Sequence, residues 1–185
     1  MLFNLFGKKE ENEAESIFTD RCYMSTNAKL RACAKAAQEN RAIFFVCWFP
    51  KTLELFKDFF AGQGISEERV KLAREINDSM LHHKAFSFAE HYPLHGKELE
   101  LVKNWPQKNI IVYSAMDEPL FKHLGSDKML PLMKLLGMKE DEAIEHSFVT
   151  KSIIKGQAKI AAAVPLEQAA NSQEEWMERN YKPSA

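Results

Sequence analysis

Ala42-Ile43-Phe44-Phe45-Val46-Cys47-Trp48-Phe49 is an unbroken apolar run that ends at Pro50. It is short for a buried helix and the right length for a strand covered on both faces, the condition of a strand inside a parallel sheet. Pro50 stops it, and Thr52 to Ala61 then places Leu53, Phe56, Phe59 and Phe60 at helical spacing before Gly62 and Gly64. Working outward, Ala85 to Glu90 (AFSFAE) alternates as a second strand, and Asn109 to Ser114 reads as a third. Between them, Lys97 to Asn104 is a helix with Leu99, Leu101 and Val102 inward, ended by Pro106. Upstream, Ser25 or Thr26 caps a helix over the Ala-rich run Asn27 to Glu39, with Leu30 and Cys33 on its buried face. The segment after Ser66 has two readings. Glu67 and Glu68 favour a helix start, and a helix from Glu67 to about Leu81 is the preferred reading; Val70-Lys71-Leu72-Ala73 alternates as a short strand. Downstream, helices are predicted at about Glu118 to Leu124, Asp127 to Leu136, Ile144 to Ala163 and Leu166 to Arg179. Gly125 and Gly137 stand at C-terminal caps, and Asp127 and Asp141 at starts. Strands alternating with helices predict an α/β fold: three layers, a short parallel sheet flanked by helices, and a helical C-terminal third.

The 185 residues, 45% hydrophobic and 28% charged, suit one globular domain with a real core. The expected organisation is a flexible polar lead over residues 1–22, a main domain over 23–164, and a last helix and tail over 165–185. Lys plus Arg number 25 against 26 Asp plus Glu, which argues against a general nucleic-acid binder. Cys22, Cys33 and Cys47 have no CxxC spacing and fit reduced thiols in a cytoplasmic protein. No apolar run approaches the ~20 residues that span a bilayer. Leu2, Phe3, Leu5 and Phe6 followed by Lys8 and Lys9 could make weak membrane-surface contact, although an ordinary chain terminus is the preferred reading.

Open α/β sheets bind ligands beyond the carboxyl ends of their strands. Those ends carry Trp48 and Lys51, then Glu90, His91 and His95, then Ser114, Asp117 and Glu118. Carboxylates, imidazoles and a hydroxyl in one cleft could do acid/base work or hold a small ligand. Asp117 and Glu118 are equally plausible helix-start residues, and that structural role is preferred. No metal site is expected: Pro93 breaks any helix between His91 and His95, and His82-His83 has no HExxH or CxxC partner. Cys47 and Ser114 lie within strands, outside any nucleophile signature, and read as core. Met129, Leu132, Met133, Leu135, Leu136 and Met138 form a stripe at helical spacing, first a core stripe and alternatively a contact surface. Trp176 and Met177 dock the last helix on the domain or on a partner.

The stretch NIIVYSAMDEPLFKHLGSDKMLPLMKLLGMKEDEAIEHSFVTKSIIKGQAKI, Asn109 to Ile160, carries a set of short motifs in order. They are Met116-Asp117-Glu118-Pro119-Leu120, Gly125-Ser126-Asp127, Leu136-Gly137-Met138-Lys139, Ile144-Glu145-His146, Val149-Thr150-Lys151 and Gln157-Ala158-Lys159. This stretch resembles the end of the second nucleotide-binding fold of SecA, the ATP-driven motor of bacterial protein export. The resemblance implies a RecA-like fold and an export-linked setting. By the same resemblance, Glu145, His146, Thr150 and Lys151 cap and pack the long helix. The family's chemical groups are not in this sequence. No P-loop run occurs, since Gly7-Lys8-Lys9 and Gly96-Lys97-Glu98 lack its spacing and hydroxyl. No arginine occurs between Arg74 and Arg179, where the family places its arginine finger. The expectation is therefore a stand-alone, degenerate relative that turns over no ATP, needs no cofactor, and binds a protein partner, with the export machinery the first candidate. A small-ligand binder or enzyme at the strand-end cleft is the alternative. The chain departs from the family after Ile160, and its last helix is expected to fold back over the face that a scaffold helix would otherwise touch.

Overall fold

The computed structural model describes residues 17–182, apart from His83. The elements are β1 (Phe18–Tyr23), α1 (Thr26–Glu39), β2 (Ile43–Cys47), α2 (Pro50–Gly62), β3 (Val70–Leu72), α3 (Asp78–Leu81), β4 (Ala85–Phe88), α4 (His95–Val102), β5 (Ile110–Ala115), α5 (Pro119–His123), α6 (Ser126–Leu135), α7 (Ser147–Ala163) and α8 (Gln173–Asn180). Five strands form one sheet in the order β1-β5-β4-β2-β3, and every neighbouring pair is parallel. This is the three-layer α/β architecture that the alternating strands and helices predict.

β2 explains why its sequence is continuously apolar. Phe45 and Cys47 turn to one face, where they meet Leu30 and Cys33 of α1 and Phe56 and Phe60 of α2. Val46 turns to the other, with Phe86 and Phe88 of β4, Val102 of α4 and Trp105. A third cluster lies beyond the strand ends. There Phe49, Met116, Leu120 and Phe121 pack on Ile153 and Ile160 of α7 and on Trp176 of α8.

Order begins earlier than the charged lead suggests. β1 starts at Phe18 and pairs with β5 from Phe18↔Ile110 to Tyr23↔Ala115. Its alternation was hidden because one inward position is Asp20, satisfied by a buried histidine rather than by apolar packing. The helix expected over Glu67 to Leu81 is also corrected. Val70 to Leu72 is a strand on the edge of the sheet, paired with Phe45 to Cys47, between short 3-10 turns at Glu67–Arg69 and Ala73–Glu75. Burial of Val70 and Leu72 beside β2 outweighs the helix-start residues before them. Arg69 ties this corner by donating to the carbonyls of Ala37, Asn40 and Ile43. α7 begins at Ser147 rather than Ile144, because Ile144 instead exchanges main-chain bonds with Cys22 (2.9 and 3.2 Å). α8 begins at Gln173, capped by Ser172. Leu2 to Lys9 lie outside the described residues.

Candidate functional site at the strand ends

The residues that leave the carboxyl ends of β2, β4 and β5 form a buried polar layer, and most of it is spent on holding helices. Glu90, just past β4, accepts from the main-chain N–H groups of Trp48 (3.0 Å) and Phe49 (3.1 Å) and from the Thr52 hydroxyl (2.7 Å). It thereby caps α2, whose own N-cap residue, Phe49, has no side chain able to do so. Burial pushes the Glu90 carboxyl up to about 7, against the opposing pull of Lys29 and these hydrogen bonds. Asp117 serves α1 in the same way. Its two oxygens accept from the Thr26 N–H at 2.9 Å, and one accepts the Thr26 hydroxyl at 2.7 Å. Glu118 forms a buried ion pair with Lys29, which also donates to the Ala89 carbonyl (2.7 Å). Burial pulls the Lys29 ammonium down, but Glu118 and Glu90 outweigh it and hold the group above its ordinary value.

Next to this layer sits a histidine clamped between two acids. His91 reaches Asp20 Oδ1 through Nε2 (2.6 Å) and Glu98 Oε1 through Nδ1 (2.9 Å), and all three residues are at most 3% exposed. Burial opposes protonation, yet the two carboxylates hold the imidazole well above its usual range. Glu98 is correspondingly lowered to about 2: burial raises it, and His91 more than reverses that. Its second oxygen lies 3.0 Å from His95 Nδ1 and accepts from Gln157 Nε2 of α7 (3.1 Å). Gln157 also donates to the Tyr92 carbonyl (2.7 Å). These groups bond to one another; among the described residues no cluster of His, Cys, Asp or Glu is spaced to hold a metal ion.

The sequence-predicted cleft residues thus divide. Glu90, His91, Ser114 and Glu118 are buried, with Ser114 fully enclosed beside Cys22. His95, Trp48 and Asp117 are half-buried, and Trp48 packs edge-on against Phe88 and at a tilt against Tyr92. Lys51 is exposed, and its main-chain N–H donates to the Asn171 carbonyl (3.0 Å). α8 packs against part of this layer, at His91 and Leu120. Gln173 donates to the His91 carbonyl (2.9 Å) and accepts from the Leu120 N–H (2.7 Å), while fully buried Trp176 fills the space between Phe49 and Phe121. Burial pushes the Cys22 thiol up to about 12 and the Cys33 and Cys47 thiols up as well. Sequence reasoning missed Asp20, Lys29, Thr52, Glu98, Gln157 and Gln173. Lys29 had a visible mark, four residues before Cys33 on the apolar side of an Ala-rich helix.

Of the residues carried by the resemblance, His146 caps α7 by accepting from the Phe148 N–H (3.1 Å). Glu145 pairs with Arg21 at 2.7 Å. Thr150 is half-buried on α7, and Lys151 is exposed. The Met- and Leu-rich stripe is not core. Met129, Leu132, Leu135 and Leu136 are 50–83% exposed, whereas Leu130 and Met133 turn towards the third cluster.

No protein-family model matches the chain. The protein translocase subunit SecA of Acidithiobacillus ferrooxidans is 54% identical over 48 residues, which is 26% of this chain and 5% of that relative. SecA of Methylococcus capsulatus is 44% identical over 50 residues (27% of this chain, 6% of the relative), and that of Ehrlichia canis 42% over 48 (26% and 6%). About a quarter of this chain is related to SecA. The match spans only 5–6% of the length of these SecA relatives. The SecA-like stretch Asn109 to Ile160 supplies β5, α5, α6 and most of α7. Its polar residues reach partners in the other part of the chain: Asp117 to Thr26, Glu118 to Lys29, Glu145 to Arg21 and Gln157 to Glu98. The SecA-like segment is therefore built into the sheet and is no appendage to it.

Proposed function

We propose that this protein is a non-catalytic, protein-binding module linked to protein export, acting in the cytoplasm. The relationship of a quarter of the chain to SecA supports the export setting. The single observation that carries the binding role is where the exposed apolar surface lies. Met129, Leu132, Leu135 and Leu136 fall on one side of α6 and its end, inside the SecA-like stretch, and face solvent. The proposed occupant is a protein of the export machinery, because the face belongs to the segment shared with that machinery. The strand-end carboxylates and imidazoles lend themselves to the same reading: they cap helices or clamp one another.

Affinity capture of the tagged protein from its native lysate, with mild cross-linking and mass spectrometry, tests the proposal. Enrichment of SecA or its membrane channel, with cross-links mapping to Lys128 or Lys134 of α6, is expected. Capture of neither overturns the export link. The alternative, a ligand or substrate at the strand ends, is favoured by Glu90, a buried carboxyl poised near neutral pH. It predicts that His91→Ala combined with Asp117→Ala abolishes function in a variant that still folds, whereas the binding reading predicts retained capture.

A further inference from the structure

Among the described residues, the outer edge of the sheet carries a short unfilled place for another strand. β1 is an edge strand, and its main-chain groups alternate between β5 and the outside. The carbonyls of Ile17 and Tyr23 accept from Ile110 and Met116 on the β5 side, so the odd-numbered positions point inward to the sheet. Cys22 points outward, where it exchanges both bonds with Ile144. By the same alternation Asp20 and Phe18 turn their N–H and C=O groups to that outer edge. An antiparallel neighbour continuing from Ile144 would set residue 146 against Asp20 and residue 148 against Phe18. The chain does not continue there: His146 caps α7, and Ser147 starts it. What remains is a slot of about 380 Å³ lined by Phe18, Thr19, Asp20, His146, Ser147 and Thr150, with Glu145 at its rim.

The slot has a chemical preference. Asp20 is 3% exposed; its Oδ1 is taken by His91, while its buried Oδ2 has no partner among the described residues. An unpaired buried carboxylate oxygen is costly, and a donor beside it relieves that cost. In an antiparallel pair, the residue directly opposite places its side chain on the same face. A residue opposite Asp20 would therefore bring its side chain towards that oxygen, in a slot that Ser147 and Thr150 also line; Glu145 is already paired with Arg21 and leaves Asp20 as the acid that selects.

We infer that this edge is a β-augmentation site for an extended peptide segment of a partner protein that carries a lysine or arginine opposite Asp20. The peptide pairs antiparallel with Phe18 and Asp20, in line with Ile144. Main-chain bonds supply the affinity, and the cation supplies the choice of sequence. This site is separate from the apolar face of α6 and goes beyond the export reading, so either can fail without the other.

The test is a titration of the full-length ¹⁵N-labelled protein with an acetylated octapeptide of alternating Val and Lys. The controls are its Val/Glu counterpart and a Val/Lys peptide N-methylated on alternate amides. Binding of the Val/Lys peptide is expected to shift the Phe18, Asp20 and Ser147 resonances and to slow exchange of the Phe18 and Asp20 amides at least about tenfold. Both controls should bind at least about tenfold more weakly. Thr150→Trp narrows the slot from the α7 side and should abolish the shifts in a protein that melts normally. Shifts confined to other surfaces, equal binding of the Val/Glu peptide, or no binding at millimolar peptide would overturn the inference. So would Phe18 and Asp20 amides already protected before peptide is added, since the edge would then be occupied.

Discussion

Two buried residues make the strand-end layer sensitive to pH in opposite ways. Glu90 has a carboxyl raised by burial from the ordinary range to about 7. A folded-state value above the unfolded one means that the associated stability is complete below about pH 4.5 and is lost as pH rises through 7. Glu90→Gln keeps an acceptor for the Trp48 and Phe49 N–H groups and removes the charge. Urea denaturation from pH 5 to 8 should show wild type losing stability relative to Glu90→Gln, by roughly 3 kcal/mol at most. Parallel curves would mean that Glu90 is not desolvated in solution. Glu98 runs the other way. Its value of about 2 places its contribution above the unfolded value, to be lost as pH falls from about 4.5 towards 2. His91 holds both its neighbours, so His91→Ala leaves Asp20 and Glu98 as uncompensated buried acids. The expected cost is about 3–5 kcal/mol at pH 7, read by the same denaturation, with the loss shrinking at acid pH as the Glu98 carboxyl takes up a proton. A loss that does not shrink would mean that packing of the ring, and not its charge, is what the site needs.

At the scale of elements, α8 decides whether the strand ends are a site or a sealed joint. Trp176 is fully buried among Phe49, Leu120 and Phe121, and its indole N–H donates to Glu167 (2.8 Å). Trp176→Ala should cost about 3–5 kcal/mol if α8 is part of the cooperative fold. It should also expose the bond region around Pro165 to protease at a rate at least about tenfold higher than in wild type. Destabilisation below about 1 kcal/mol would mean that α8 is a detachable cover. The sequence raised the expectation that the last helix folds back and made Trp176 its docking residue, but it did not say which residues Trp176 would meet. A helix of eight residues with one tryptophan reads the same whether it sits on its own domain or on a partner. β2 was legible because burial on both faces leaves a continuous apolar run, β5 was also read as a strand, and β4 was legible from its alternation. β3 was only the second reading of its segment, and β1 was not seen. β3 has only three residues, which the acids at Glu67 and Glu68 disguised as a helix start. β1 carries Asp20 at an inward position where alternation calls for an apolar residue, and its partner, His91, is remote in sequence. For the cleft residues, nothing local reveals that Glu90 faces the start of α2 or that Glu118 faces Lys29. Such pairings exist only once the strand order β1-β5-β4-β2-β3 is known.

The molecule as a whole has nearly balanced charge, so long-range attraction offers little guidance to a partner and local surface must do the selecting. Among the described residues no helix is long and apolar enough to cross a membrane. Four of the exposed large apolar side chains fall on α6 and its end, with Leu55, Phe148 and Leu166 apart from them. Leu135 and Leu136 are 83% and 77% exposed and turn no atoms to the core clusters, whereas Leu130 and Met133 hold α6 to the body. That separation allows a clean test of the binding proposal. Replacing Leu135 and Leu136 together by lysine should change folding stability by no more than about 0.5 kcal/mol, as for surface positions generally. If α6 is the binding face, the same pair should remove most captured partner, since two charges would enter the desolvated centre of the interface. Capture that survives the double substitution places the partner elsewhere, and loss accompanied by a fall in stability would show that α6 is held by contacts those leucines make. Retained stability with lost capture of SecA or its channel is the outcome that would tie the shared segment to a shared task, because the substituted residues lie in the stretch that resembles the motor and outside every buried polar pair that maintains the fold.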